Sequence, residues 1–398
     1  MASYIREHYQ LWLTFPRSVK LFYVTDIFFA VATAIFSTLF NLHLLAMGFT
    51  AEHIGRLSGV MALLVAVLAI PIGLAGDRWG SRRLYAAGSI CWATPFLVLP
   101  WLHSFPLILA AQAVTTVGAA CMNVNEAPLL AGEVPTPKRA FMFSFMMINF
   151  FLWTTLGTQL SGFLSSWLPA GGLSVYQWPL FVSALCGLTA AVGRCLLPFR
   201  RQVPTSTRFN LRPSRTTLLM ALLSVLVGAY SALTQYFGNV VLAQHFHFDA
   251  ARIATILSVG GVLSWLGSMA VPWTSRRFGD LRGYMIAVGL QAAALTALGL
   301  AGSAWLFLPF FWARNMLFNM QGPLFSSFSM SVTPETERAT TSSYNWVGRS
   351  LGAAVAAKGF GSALTVGHYA TSFITAGGIA LVAALLVQFG FRARGHNL

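Results

Sequence analysis

The chain has 398 residues, of which 56% are apolar and only 9% charged. Ordinary soluble proteins carry about 25% charge, so this composition, with a mean hydropathy of +0.68, excludes a water-soluble fold and leaves no stretch for a separate soluble domain. The net charge of +15 would suggest nucleic acid in a soluble protein; here the placement of the bases points elsewhere.

Apolar stretches punctuated by charge, Pro and Gly predict twelve spans, near 18–47, 54–76, 83–101, 105–132, 140–167, 174–198, 216–243, 253–274, 283–301, 304–332, 339–366 and 369–391. The first 20 residues are polar and amphipathic, and the first apolar stretch lacks a small-residue cleavage site, so it is expected to remain in the mature protein. With the N-terminus on the cytoplasmic side, 20 of the 25 bases fall in cytoplasmic segments, Arg194 among them. The opposite side holds only Arg56 and Arg252, while Arg314, Arg349 and Lys358 fall inside spans. That asymmetry predicts a multi-pass protein of the cell (inner) membrane with both termini cytoplasmic, and anionic lipid head groups, not nucleic acid, as the partner of the basic excess. Cys91, Cys121, Cys186 and Cys195 are scattered through apolar stretches and suggest neither a disulfide framework nor a metal cage.

The longest hydrophilic connection, 200–215, falls at mid-chain. Sliding the sequence by 199 residues superposes Ile54 on Ile253, Arg78-Trp79-Gly80 on Arg277-Phe278-Gly279, Arg83 on Arg282, Tyr85 on Tyr284, Arg139 on Arg338 and Gly162 on Gly361. An offset of half the length indicates a duplicated six-span unit. The expected organisation is a bundle over 1–199, a basic cytoplasmic linker over 200–215 and a second bundle over 216–398.

The turn after the second span reads Gly73-Leu-Ala-Gly-Asp77-Arg78-Trp-Gly80-Ser-Arg82-Arg83. It resembles the loop signature of the major facilitator superfamily, with Ser81 in place of one basic residue. The resemblance extends over the whole chain and implies an all-α membrane protein, twelve transmembrane helices in two pseudo-symmetric six-helix bundles. The second copy has decayed, with Pro272 at the position of Gly73 and Arg276 at that of Asp77. Physically, Gly73 is expected to admit a neighbouring helix closely, and Asp77 to pair with the arginines or a helix end, forming a gating latch with Gly80 as part of the turn. The fourth span leaves through Glu133-Val-Pro135-Thr-Pro-Lys-Arg139, echoed by Pro334-Glu335-Thr-Glu337-Arg338; both are similar to the acidic-Pro-Arg exits of the superfamily, with Glu133, Arg139 and Arg338 as expected salt-bridge residues. Proton-antiporting drug exporters of the superfamily carry an arginine early in span 4 and a Gly-Pro-rich stretch in span 5. This chain has Gln112 and Gly157-Thr-Gln159-Leu-Ser-Gly162 in those regions.

The resemblance implies that spans 1, 4, 7 and 10 line a central cavity. Helical spacing gives each of them a polar stripe: Asp26 to Ser37; Gln112, Thr116, Asn123 and Glu126; Ser224 to Gln235 and Gly238; Asn315, Asn319, Gly322, Ser326 and Ser329. On span 11, Ser342, Asn345 and Arg349 share a stripe. Ionisable groups at mid-bilayer cost roughly 2.5–3.5 kcal/mol or more unless solvated or paired. Asp26 lies about 9 Å inside its span, Glu126 about 14 Å and Arg349 about 16 Å, at 1.5 Å per residue. Arg314 falls in the outer half of span 10, and Lys358 lies far enough along span 11 to snorkel to the surface.

Asp26 and Glu126 are therefore candidate proton carriers. Gln112, Asn123, Gln235, Arg314, Asn315, Asn319, Asn345 and Arg349 are candidates for binding substrate, the arginines for holding an anionic group. On this reading the buried acids belong to the first half and the buried bases to the second; the alternative is a set of salt bridges that gates one conformation. Trp153 and Trp346 lie inside spans, and His245-Phe-His247 lacks the acidic partners of a metal site. No phosphate-cradling loop, nucleophile elbow or metal motif appears, so the chain reads as a non-enzyme without cofactor or metal. The expected function is secondary active transport, by a monomer, of a small organic solute that is anionic or amphipathic, coupled to protons. A multidrug efflux antiporter and a lipid flippase of the same fold are the alternatives.

Overall fold

The computed structural model describes residues 14–167, 172–199, 214–333 and 337–392. These residues form twelve α-helices and no strand, as the lipid interior requires of a chain whose backbone N–H and C=O groups have no water to bond. In chain order they are α1 (Arg17–Ala46), α2 (Ala51–Trp79), α3 (Ser81–Ala93), α4 (Phe105–Glu133), α5 (Thr136–Ser166), α6 (Ser174–Cys195), α7 (Arg215–Gln244), α8 (Ala250–Phe278), α9 (Asp280–Leu300), α10 (Ala304–Val332), α11 (Arg338–Thr365) and α12 (Tyr369–Arg392). Among the described residues, ten spans are long and apolar enough to cross a membrane on their own composition; α10 and α11 fall short. These two helices carry Arg314, Arg349 and Lys358. The predicted linker lies almost wholly on residues 200–213, outside the described residues.

The third span differs from the continuous helix expected over 83–101. The α-helix stops at Ala93, and two 3-10 turns, Thr94–Leu97 and Leu99–Trp101, complete the crossing. Pro95 and Pro100 stand at the second positions of these turns; neither has an N–H to donate, and the proline ring would clash with the carbonyl one turn back.

The duplication is visible in the turns. Gly80 joins α2 to α3 as a single residue at φ 91°, and Gly279, one repeat later, joins α8 to α9 at φ 76°. A one-residue reversal between antiparallel helices needs a left-handed backbone, which an L side chain disfavours. The α1–α2 and α7–α8 turns match in the same way, with Gly48 at φ 87° answered by His247 at φ 53°. Trp101, Trp167, Trp178 and Trp273 stand exposed at or near helix ends, where indole rings sit at the membrane–water boundary; Trp12 lies outside the described residues.

Contacts group the chain into two compact units: Met1–Phe36, Ile70–Gly157 and Trp178–Ser206 in one, Ser37–Ala69, Thr158–Gln177 and Thr207–Leu398 in the other. In the first, α3 and α4 pack through glycine: a Cβ on Gly118 would lie 2.3 Å from the Trp92 nitrogen, and one on Gly88 would lie 2.7 Å from Cys121 Cβ. In the second, α11 lies against α7 so closely that a Cβ on Gly352 would sit 1.9 Å from the Val225 carbonyl oxygen and one on Gly228 1.9 Å from that of Arg349. Without a hydrophobic driving force between helices in lipid, such backbone approach supplies the van der Waals contact that holds them.

The second unit also contains the ends of α1, α2 and α5 on the face opposite the arginine-rich turns. There a Cβ on Gly55 would meet the Gly361 Cα at 3.1 Å, and one on Gly162 would meet Ala254 Cβ at 2.6 Å. Gly162 and Gly361, and Gly55 and Ala254, are repeat equivalents, so one contact is the pseudo-symmetric copy of the other. Between them Asn41 donates to the Tyr236 carbonyl at 2.8 Å, and Asn239 donates to the carbonyls of Ser37 and Thr38 at 3.3 and 3.0 Å. This clasp ties α1 to α7 on that face.

Candidate functional site

The first unit builds a charged cluster around a residue that the sequence reading had placed in a cytoplasmic segment. Arg194, near the end of α6, is 2% exposed. Its Nη2 lies 3.1 Å from Asp26 Oδ1, while Asn149 of α5 donates to the other carboxylate oxygen at 3.1 Å. The guanidinium lies 4.0 Å from the centroid of Phe29, with Phe22 and Tyr85 at 5.5 and 5.6 Å, a setting in which aromatic faces replace part of its lost hydration. Tyr85 is itself fully buried and donates to Glu126 Oε2 at 3.1 Å. Arg194 is near enough to act electrostatically on both Asp26 and Glu126.

Two expectations are corrected here. Arg194 leaves the cytoplasmic count, because four apolar and aromatic helices surround the last turn of α6; its position four residues before the end of the predicted span gave no sign of that. The buried charges are also not divided into acids in the first half and bases in the second, since the first half holds its own buried base. The two acids nevertheless differ: Asp26 is 3% exposed and ion-paired, whereas half-buried Glu126 accepts a single hydrogen bond among the described residues, from Tyr85.

Among the described residues, the second unit buries cations with no buried acid beside them. Arg314 of α10 is 3% exposed; its Nη1 donates to Asn315 Oδ1 at 3.0 Å, and its Nε and Nη2 have no partner among the described residues. Phe318 lies 4.7 Å from the guanidinium. Nearby, Tyr230 donates to Gln321 Oε1 at 2.7 Å and Gln321 donates to Tyr284 Oη at 3.2 Å, so the repeat-equivalent tyrosines Tyr85 and Tyr284 each anchor a buried polar chain. Half-buried Arg349 of α11 makes no hydrogen bond or ion pair among the described residues. The described carboxylates of this unit, Glu52, Asp249, Asp280 and Glu337, all stand at helix starts.

The remaining candidates divide. Asn319 donates to the Asn315 carbonyl at 3.0 Å, and Asn345 donates to Ser329 Oγ at 3.2 Å. No hydrogen bond joins the side chains of Gln112, Asn123 or Gln235 to either cluster among the described residues, and Asn123 and Gln235 are exposed. The sequence reading missed Asn125, Asn149, Asn239, Gln321 and Arg194; of these, buried Asn125 lies between the singled-out Asn123 and Glu126 and packs its side chain on α2. That contact relocates the glycine approach: a Cβ on Gly73 would meet only Val124 at an ordinary 3.9 Å, whereas one on Gly76 would lie 2.5 Å from Asn125 Oδ1.

At the arginine-rich turn, Arg82 donates to the Phe199 carbonyl at 3.2 Å, fastening the turn to the end of α6, while Arg78 and Arg83 are exposed. The side chains of Asp77 and Arg338 lie outside the described residues. Glu133 accepts from Ser18 Oγ at 2.5 Å and Arg139 donates to the Val134 carbonyl at 3.1 Å. Glu337 accepts from Thr217 Oγ1 at 3.0 Å. Ser18 and Thr217 are repeat equivalents, so each half ties the start of its first helix to an exit carboxylate. Hydrogen bonds from Ser214, and then Thr217, hold the Glu337 carboxyl below its ordinary range.

The family model for the Major Facilitator Superfamily matches residues 22–357. The chain belongs to the Major Facilitator Superfamily. It is therefore a multi-pass membrane transporter of a superfamily that binds small-molecule substrates. Among solved structures, the nucleoside transporter NupG superposes with a TM-score of 0.76 at 12% identity, covering 95% of this chain and 100% of its own. An auto-inhibited POT family peptide transporter gives 0.75 at 12%, covering 96% and 98%. The human organic anion transporter MFSD10 gives 0.62 at 17%, covering 94% and 100%. At these identities the likeness establishes the fold alone. No curated protein matches the chain in sequence.

Proposed function

We propose that this superfamily member is a proton-coupled secondary transporter of a small organic anion, working by alternating access between its two six-helix halves in the cell membrane, with the arginine-rich face in the cytoplasm. The observation that carries the reading is the uncompensated charge of the second unit: Arg314 is 97% buried with two guanidinium nitrogens unpartnered, and Arg349 lacks any carboxylate partner among the described residues. A cation inside the bilayer costs roughly 2.5–3.5 kcal/mol, and an anionic substrate offsets that cost whenever it binds. A guanidinium stays charged and offers planar, paired donors suited to an oxyanion.

Within the first unit, Asp26 and Glu126 take different parts. Asp26 is neutralised by Arg194 and held by Asn149, so its charge is spent on positioning the guanidinium. Among the described residues Glu126 has no cation within hydrogen-bond distance, and it is partly open, so it carries the exchangeable proton, with Tyr85 as the donor that accompanies the ionised form. The fold likeness to the human organic anion transporter MFSD10 supports the substrate class by analogy only.

The test is uptake of labelled organic anions into proteoliposomes with and without an imposed pH gradient. Gradient-driven accumulation is expected, and Glu126→Gln should abolish it while leaving anion exchange intact. Unchanged pH dependence in Glu126→Gln and Asp26→Asn would sink the coupling mechanism. Movement of labelled lipid, or of cationic drugs alone, would favour a flippase or a drug exporter instead.

A further inference from the structure

The second unit contains a cleft whose lining defines the substrate more narrowly. It lies between the later half of α10 and the early half of α11, has a volume of about 200 Å³, and is walled by Phe325, Met330 and Trp346 with Arg349, Asn345 and the hydroxyls of Ser326, Ser329 and Ser342. The space arises because the two helices face different neighbours. Gly348 and Gly352 seat α11 on α7, with a Cβ at Gly348 only 2.6 Å from the Ala221 oxygen, while α10 packs on α8 and α9, as at Gly267, where a Cβ would meet the Met316 carbonyl oxygen at 3.0 Å. The stripe Ser342, Asn345, Arg349 is thereby left facing the cleft, joined to α10 by the Asn345–Ser329 hydrogen bond at 3.2 Å.

The wall makes three chemical demands. Arg349 is a cation with no hydrogen bond or ion pair among the described residues, 6.0 Å from the Phe325 ring centroid. Asn345 spends its amide N–H on Ser329, and its Oδ1 is buried without a partner. A buried acceptor left unpaired is costly, so an occupant of the cleft that carries a donor gains by drawing the Asn345 amide toward it. Phe325, almost wholly buried, and Trp346 supply flat apolar surface, suited to an aromatic body. The volume corresponds to about seven waters at 30 Å³ each, the size of one substituted ring. A single guanidinium matches one carboxylate bidentately, whereas a dianion would leave a net negative charge in the membrane interior.

We infer that this cleft binds an aromatic monocarboxylate bearing a ring hydroxyl or amino group, with the carboxylate on Arg349, the ring between Phe325 and Trp346, and the ring donor on Asn345 Oδ1. The inference rests on the organic-anion reading above and narrows it.

The test is isothermal titration calorimetry of the full chain in lipid nanodiscs with 4-hydroxybenzoate, benzoate, cyclohexanecarboxylate and phenyl phosphate. The expected order is 4-hydroxybenzoate, then benzoate, then cyclohexanecarboxylate, with phenyl phosphate weakest. Arg349→Gln should weaken 4-hydroxybenzoate about tenfold or more, the loss of one charge-assisted contact. Asn345→Leu should make 4-hydroxybenzoate and benzoate bind equally; because it retains the charge, it decides the matter even where Arg349→Gln fails to fold. Equal binding of benzoate and 4-hydroxybenzoate by the wild type, tighter binding of phenyl phosphate, or no binding of any arene while gradient-driven uptake of another anion persists, would each overturn the inference and leave the transport reading standing. Binding in the expected order without gradient-driven uptake of any anion would instead overturn the transport reading and leave the cleft assigned.

Discussion

Removing the charge of Asp26 puts the architecture of the first unit to its most direct test. In Asp26→Asn the shape is nearly kept, but Arg194, 2% exposed and with its Nε already lacking a partner, becomes a buried cation facing only aromatic rings, the Met122 sulfur and an amide. Breaking a buried pair by removing one partner costs about 3–5 kcal/mol. With about 2.1 cal/mol/K of unfolding entropy per residue over 398 residues, that is a fall in Tm of about 4–6 °C. Arg194→Gln should show a loss of similar size, because it strands Asp26. The double variant removes both charges, and neutralising a whole buried pair is often close to neutral, so most of the stability should return. The assay is thermal unfolding of the four proteins of this cycle in one detergent at one pH. If the two single losses add to within about 0.5 kcal/mol in the double variant, the carboxylate and guanidinium are not energetically coupled, and the assignment of Asp26 to positioning Arg194 is wrong.

Four further outcomes follow from the same geometry. Gly352→Ala should cut folded yield and Tm sharply, because its Cβ would sit 1.9 Å from a backbone oxygen, whereas Gly322→Ala, with nothing within 4 Å, should behave as wild type; equal Tm values for the two would contradict the α7–α11 packing. Gly80→Ala and Gly279→Ala meet no neighbour within 4 Å, so each should lose only the roughly 1–2 kcal/mol of a left-handed L residue, read as a Tm drop smaller than that of Gly352→Ala. The Glu337 carboxyl is held below its ordinary range by Ser214 and Thr217, so its contribution is fully present above the unfolded value of about 4.3 and is lost as pH falls through the lower folded value; Glu337→Gln should flatten that part of the acid unfolding profile, and an unaltered profile would show the bonds to be inert. Asn239→Ala removes both donors to the α1 carbonyls and should loosen that face, so that Ser231→Cys, in a background without the native cysteines, is labelled faster by an impermeant maleimide added on that side; an unchanged rate would show that the clasp does not hold the face closed.

Much of this protein is written in local sequence, and the reason is the solvent. A bilayer penalises every unpaired backbone group, so runs of about 20 apolar residues can only be helices, and the span positions follow from composition. The half-length repeat was legible for a similar reason. Turns of one residue leave few conformations, and the glycines at 80 and 279 mark equivalent reversals in both halves. The polar stripe of α11 was likewise visible, because three residues one turn apart must share a face. Pairing across helices was not visible. Arg194 lies 168 residues from Asp26, and nothing in the neighbourhood of a basic residue near a helix end distinguishes a topology signal from the buried half of an ion pair. Only packing of α1, α3, α4 and α5 around that turn decides it. Asn345 is similar: the sequence shows an amide among hydroxyls, but which of its atoms is spent on Ser329 and which is left buried beside the cleft depends on where α7 pulls α11 away from α10. Sequence thus determined the helices, their repeat and the kinds of charge inside them, since those depend on each segment's own transfer energy; which charges are neutralised and which await a ligand was settled by tertiary contact, since that energy belongs to pairs.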